Sequence, residues 1–198
     1  MTAGPESPTK ILFLAGWQRS GSTLLQRILG QIDGFFPAGE LWYVWEQGLL
    51  ENRLCGCGSR FQKCEFWEEV FDRAFGGMSA IDGKKMMQAV LSASRTRYLP
   101  RYWTSAGRRS LAAGLEYELD AIGRLYSALL AVSGSDYLID SSKSPGYANL
   151  LSITRKVEIY VIHLIRDPRG VAYSWQRRKP QIDTGNREQM DRTSAIKS

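Results

Sequence analysis

The chain has 198 residues, 43% of them hydrophobic and 23% charged, a length and balance that suit one globular unit with a sizeable core. Lys and Arg outnumber Asp and Glu by 26 to 20, a formal charge of +6 that favours anionic ligands without choosing among nucleic acid, nucleotide and acidic substrate. Met1 to Lys10 is polar with two prolines, unlike a signal peptide, and no apolar run nears the roughly 20 residues that cross a bilayer; with only three cysteines, too few for a disulfide framework, a cytoplasmic enzyme is expected.

Ile11–Leu14 reads as a buried strand. It runs into a glycine-bounded loop, Gly16-Trp-Gln-Arg-Ser-Gly-Ser-Thr23, and from Ser22 into a helix with Leu24, Leu25, Ile28 and Leu29 on one face and a stop at Gly30. Strand, loop and helix in this order cradle a phosphate, because backbone N–H groups converge where the helix end carries partial positive charge. A triphosphate-binding loop reads G-x-x-x-x-G-K-[ST], and its lysine reaches the terminal phosphates. Gly16, Gly21 and Thr23 fit that template, but Ser22 stands in the lysine position and the cation is Arg19, inside the loop. The pattern predicts a site for a phosphate-like anion and argues against triphosphate hydrolysis.

Gly34–Pro37 reads as a short connection ending at Gly39-Glu40. Leu41–Gly48 is aromatic-rich and reads as helical, residues 51–64 as a loop. Phe66–Phe75 and Lys84–Leu99 have helical spacing. Arg101–Ser110 is basic and aromatic without a clear period; the run Arg95, Arg97, Tyr98, Arg101, Tyr102, Trp103, Arg108 and Arg109 reads as a solvated helix end with inward aromatics, the other reading being a face for an acidic or sugar acceptor. Leu115, Leu119, Ile122, Leu129 and Leu130 mark a long amphipathic helix. Tyr137–Asp140 reads as a short strand, Ser141–Pro145 as a turn and Tyr147–Ile153 as helical. Glu158–Ile165 is β-branched, as in a strand buried within a parallel sheet. Asp167 before Pro168 opens a helix expected to end at Pro180, and residues 181–198 are polar and weakly patterned. The layout predicts an α/β, P-loop-like fold: an open, mostly parallel sheet flanked by helices. One domain spans residues 1–198, with a helical insertion at about residues 45–133.

Two further constellations fall near strand ends, where open α/β sheets bind ligands. Arg166 closes a strand and Ser174 follows eight residues later, so an arginine fork and a hydroxyl could clamp a second phosphate. In Asp140-Ser-Ser-Lys-Ser-Pro145, Lys143 would present a point charge near the first anion.

Taken together, Gly-Trp-Gln-Arg19-Ser-Gly-Ser-Thr-Leu-Leu and Ile-Arg166-Asp-Pro-Arg-Gly-Val-Ala-Tyr-Ser174 resemble the sulfotransferase family, over roughly residues 10–50 and 135–180. The arginine form of the loop is similar to the tyrosylprotein and carbohydrate branches. The resemblance implies 3′-phosphoadenosine 5′-phosphosulfate as sulfonate donor. Gln18, Arg19, Ser20, Gly21, Ser22 and Thr23 would hold its phosphosulfate, and Arg166 and Ser174 its 3′-phosphate. It further implies a small-molecule, carbohydrate or peptide hydroxyl acceptor, no required metal, and neither a nucleic-acid nor a membrane partner. Gly39-Glu40 resembles the segment that supplies the catalytic base in the tyrosylprotein branch, which makes Glu40 the expected base. Arg19 and Lys143 would stabilise charge on the transferring group. His163, the sole histidine, is the rival base, since cytosolic members use one, but inside a strand it reads as a core residue. Family members generally continue to a basic, glycine-containing loop that this sequence does not show before Ser198, so the expectation is that either the chain is a fragment or the pocket is finished differently.

Cys55-Gly-Cys57 and Cys64 lack a nearby histidine to complete a four-ligand zinc site. Free thiols are expected, with a Cys57–Cys64 or Cys55–Cys64 disulfide as the alternative. Two functional rivals remain open. A nucleotide kinase or NTPase would use Asp140 as a magnesium-binding acid. A non-catalytic nucleic-acid binder would be driven by the net positive charge and be steeply salt-dependent.

Overall fold

The computed structural model describes residues 7–177. The expected helix end at Pro180, the stretch 181–198 and residues 1–6 of the N-terminal segment lie outside them. Four strands form one all-parallel sheet: β1 (Thr9–Gly16), β2 (Phe35–Gly39), β3 (Tyr137–Lys143) and β4 (Val157–Leu164), in the order β2-β3-β1-β4. Since all run the same way, Gly39, Lys143, Gly16 and Leu164 emerge along one sheet edge, each leading into a loop or helix. That edge is where the candidate site lies.

β2 corrects the connection expected at Gly34–Pro37. Pro37 has no N–H to donate and disguises the strand, yet it is tolerated because β2, which among the described residues pairs with β3 only, is an edge strand. β3 in turn runs through most of the expected Ser141–Pro145 turn. Three steps from Asp140 to Lys143 oppose two from Phe13 to Ala15, a bulge in β3, and there Lys143 takes a φ of 67°. The helix α7 (Pro145–Leu151) starts only after Ser144, whose hydroxyl accepts from Tyr147 N.

β4 is not the buried strand that its β-branched run predicts. Among the described residues it pairs with β1 alone, leaving Tyr160 and Val161 exposed at 45% and 55%. Side-chain type reports that a segment is extended, not how many neighbours it has. His163 is likewise exposed on β4 and is not a core histidine.

The helix α1 (Ser22–Leu29) also departs from its expected burial. It turns Ser22 and Gln26 inward, while Leu24 and Ile28 are largely exposed. Its packing on β3 and β2 is set by a polar contact: Ser141 Oγ donates to Gln26 Oε1 at 2.7 Å.

The chain between β2 and β3 is helical. A 3₁₀ turn (Leu41–Tyr43) and a π-helix (Val44–Leu50) lead to α2 (Glu65–Phe75), α3 (Gly83–Ala93), α4 (Leu99–Trp103), α5 (Ser105–Gly114) and α6 (Glu116–Ser133). The helix expected over Lys84–Leu99 therefore stops at Ala93. The aperiodic Arg101–Ser110 is two short helices broken at Thr104, whose hydroxyl caps Gly107 N at 3.0 Å; the break hides the period. Of the aromatics expected to face inward, Tyr102 is buried and Trp103 exposed. The core lies under this helical layer, where Ile11 and Phe13 of β1 join Trp45, Phe71, Met86, Leu125 and Leu129. Among the described residues no helix is long and apolar enough to cross a membrane.

Candidate functional site

The anion loop is shaped by unusual backbone. Gly16 has a φ of 152°, and a Cβ there would lie 2.5 Å from the Leu164 carbonyl oxygen, so only glycine lets the end of β1 pass the end of β4. Gly21, with φ 103°, turns the loop into α1, and its carbonyl accepts from Leu24 N and Leu25 N. The first amides of α1 have no partner within the helix, which is what makes a helix N-terminus bind anions. Arg19 sits at φ 65°, a left-handed conformation that a non-glycine residue holds only where its surroundings enforce it.

What enforces it comes from the helix α8 (Pro168–Gln176). The Arg19 guanidinium lies over the Trp175 ring, 5.1 Å from its centroid. Its backbone carbonyl accepts from Arg166 Nη1 at 2.7 Å. Arg166 lies against Gly170, where a Cβ would come within 3.2 Å of Arg166 Nε. Ser174, one turn further along α8, is buried. Asp167 fixes the start of α8 by accepting from Arg169 N at 2.8 Å. Ser20 Oγ and Trp175 Nε1 are buried here without a hydrogen-bond partner among the described residues. A buried polar atom left so costs about 1–3 kcal/mol, which a polar ligand would recover.

The second half of the site stands at the ends of β2 and β3. Lys143 is buried; its ammonium donates to the Ser141 carbonyl at 2.9 Å and is ion-paired with Glu40 Oε1. Glu40 itself is 40% exposed and follows Gly39, whose φ of 87° turns the chain out of β2. Ser141 Oγ, besides its bond to Gln26, lies 3.2 Å from the Gly39 carbonyl. Trp42 N donates to Ser142 Oγ at 2.9 Å, and Ser142 Oγ donates to Asp140 Oδ1 at 2.5 Å. Tyr126 OH donates to Asp140 Oδ2 and lies 3.1 Å from Tyr147 OH. Burial pushes the Asp140 carboxyl up to about 6, against hydrogen bonds from Ser142 and Tyr126 that favour its charge. Both of its oxygens are committed inside the core, so Asp140 does not present the open carboxylate that the kinase reading needs.

The sequence-predicted residues thus fall into two groups. Arg19 meets Arg166 and, on α8, Trp175, the neighbour in sequence of Ser174; Ser20, Gly21, Ser22 and Thr23 follow Arg19 along the loop and into α1, and Gln18 is exposed on the loop. Glu40 meets Lys143. The groups share one sheet edge, since Ala15 of β1 lies opposite Lys143 of β3. His163 lies opposite Ala15 on the far side, on β4. Sequence reasoning missed Trp175, Gly170, Ser141, Ser142 and Gln26. For Gly170 a signal existed: it lies midway between Arg166 and Ser174, one helical turn from each. Trp175 and the serines carried none. Beside Glu40 a cavity of about 370 Å³ opens between β2 and the loop 51–64, with Tyr43, Arg53, Cys55 and Trp67 in its lining. Larger cavities lie elsewhere; one of about 1580 Å³ borders Thr9, at the opposite end of β1.

Residues 12–179 match the family model described as "Sulfotransferase family". No curated protein and no solved structure matches the chain.

Proposed function

This chain belongs to the sulfotransferase family, and on that premise we propose that it moves a sulfonate group from 3′-phosphoadenosine 5′-phosphosulfate to a hydroxyl of a small-molecule, carbohydrate or peptide acceptor. The observation that carries this reading is the hydrogen bond from Arg166 to the Arg19 carbonyl, which joins the loop and α8 into one anion site with two ends. The buried, unpartnered Ser20 hydroxyl and the Gly170 surface beneath Arg166 fit a donor with two anionic groups.

In this mechanism the loop amides, Arg19 and the hydroxyls of Ser20, Ser22 and Thr23 bind the 5′-phosphosulfate. Arg166 and Ser174 bind the 3′-phosphate. The acceptor hydroxyl enters through the cavity beside Glu40. Its oxygen bonds to sulfur as the bond from sulfur to the bridging phosphate oxygen breaks. Glu40 takes the acceptor proton, without which a hydroxyl is a poor nucleophile. Lys143 and Arg19 offset the negative charge that develops on the sulfonate and the departing phosphate. The products are a sulfate ester and 3′-phosphoadenosine 5′-phosphate.

Calorimetric titration tests the donor site. 3′-Phosphoadenosine 5′-phosphate is expected to bind about 10–100-fold more tightly than AMP, without magnesium, because charge-assisted bonds contribute roughly 1.5–3 kcal/mol each. Arg166→Ala should erase most of that preference. Equal affinity of the parent chain for the two nucleotides overturns the assignment.

A further inference from the structure

The loop 51–64 enters the mechanism above only as a wall of the acceptor cavity, yet its cysteines are the most closely organised cluster of reactive side chains outside the site. Cys64 Sγ lies 3.5 Å from Cys55 Sγ and 3.6 Å from Cys57 Sγ, and all three sulfurs fall within 4.8 Å of one another. Zinc–thiolate bonds of about 2.3 Å in a tetrahedron place neighbouring sulfurs roughly 3.8 Å apart. Two of the three edges therefore already lie close to that spacing. A disulfide, at about 2.05 Å, would have to draw one pair closer by roughly 1.5 Å and would strand the third thiol.

The backbone prepares the same cluster. Leu54 and Arg60 form an antiparallel bridge, and Cys55 N donates to the Ser59 carbonyl at 2.8 Å, closing a tight turn. Cys64 is the N-cap of α2, and its side chain makes no hydrogen bond to the helix it starts. Burial is graded: Cys64 is buried, Cys55 half-buried and Cys57 exposed. An ion held by all three is anchored on the core side and faces solvent on the other.

We propose that Cys55, Cys57 and Cys64 bind one zinc ion, with a water molecule in the fourth, outward position. Binding exchanges the thiol protons for the metal and involves no change of oxidation state. The ion acts on shape. Arg53, Leu54, Cys55 and Gly56 line the cavity beside Glu40, and the ring of Phe61 in the same loop packs 4.7 Å from that of Trp67. Zinc would hold this wall in place. That consequence for the acceptor rests on the function proposed above; the metal site itself does not.

The test uses the full chain, reduced and stripped of metal, then titrated with zinc against a chromophoric chelator and, separately, with cobalt. The expected result is about one zinc per chain and a sulfur-to-cobalt charge-transfer band. Cys57→Ser, exposed and checked for folding by circular dichroism, should weaken zinc retention at least about tenfold, since it removes one of three thiolates. Its affinity for 3′-phosphoadenosine 5′-phosphate should stay at the parent level, which separates failure of the metal site from failure of the donor site. Absence of zinc and cobalt uptake by the reduced protein overturns the proposal, as does uptake unchanged in Cys57→Ser. A Cys57–Cys64 or Cys55–Cys64 disulfide that re-forms in preference to zinc binding overturns it in favour of a redox pair.

Discussion

On the β2–β3 flank of the site, Glu40 and Lys143 rest on a chain of interior hydrogen bonds that runs from Trp42 N through Ser142 to Asp140 and Tyr126. On the β1–α8 flank, Arg19 rests on the face of one tryptophan and on one bond from a guanidinium to its own carbonyl. The first flank is complete without a ligand. The second leaves a buried hydroxyl and a buried indole N–H for a ligand to satisfy. On the proposed function, the group that takes the proton stands beside a network already formed, and the groups that bind the donor still have polar atoms for it to satisfy.

The largest expected effect breaks the first flank at its functional end. Glu40→Gln keeps the shape of the side chain, so it should leave donor affinity near the parent value and lower turnover by about 10²–10⁴, with some fall in melting temperature because the buried Lys143 ammonium loses its carboxylate. Full turnover with a reduced melting point would make Glu40 a structural partner of Lys143 and return His163 to consideration. On the second flank, Arg19→Ala should lower turnover by about 10²–10³, the scale for loss of one preorganised donor. Circular dichroism checks that the variant folds; near-normal turnover would reduce Arg19 to a loop residue.

The smallest effect sharpens the comparison by asking what the interior chain costs. The Asp140 carboxyl titrates near 6 when folded, above its ordinary 3.8. Between those values the folded state holds more protons than the unfolded, so this group's contribution to stability is full below about pH 4 and falls as pH rises through 6. The loss by pH 7 is at most about 3 kcal/mol. Denaturant titrations of the parent chain and Asp140→Asn at pH 4 and pH 7 measure it, and a stability difference that is the same at both pH values would remove Asp140 as its source.

The β1–α8 flank was legible because its residues are close in sequence and their types are chemically demanding. Gly16, Arg19 and Gly21 lie within one loop, and Arg166 stands just before the helix that carries Ser174. Glu40 was readable by position, though β2, which delivers it, was not: Pro37 erased the strand signal, and only pairing with the distant β3 restores it. The interior chain is equally non-local. Nothing near Asp140 in sequence announces Tyr126 or Trp42, and Ser141 reaches a glutamine 115 positions away. α1 and β4 misled for a related reason. Their apolar residues mark helix and strand correctly, but which sides meet protein depends on neighbours that local pattern does not name.

The Arg166–Arg19 bond has one more consequence. Because the Arg166 side chain is fastened to the Arg19 backbone, the spacing between the loop and the start of α8 is held by the protein itself. On the proposed function that bond acts as a gauge. A nucleotide whose second phosphate sits on the neighbouring ribose carbon has the same charge and composition as the proposed donor's product, yet it is expected to bind less tightly. Selectivity at the proposed donor site would then be a matter of length as well as charge.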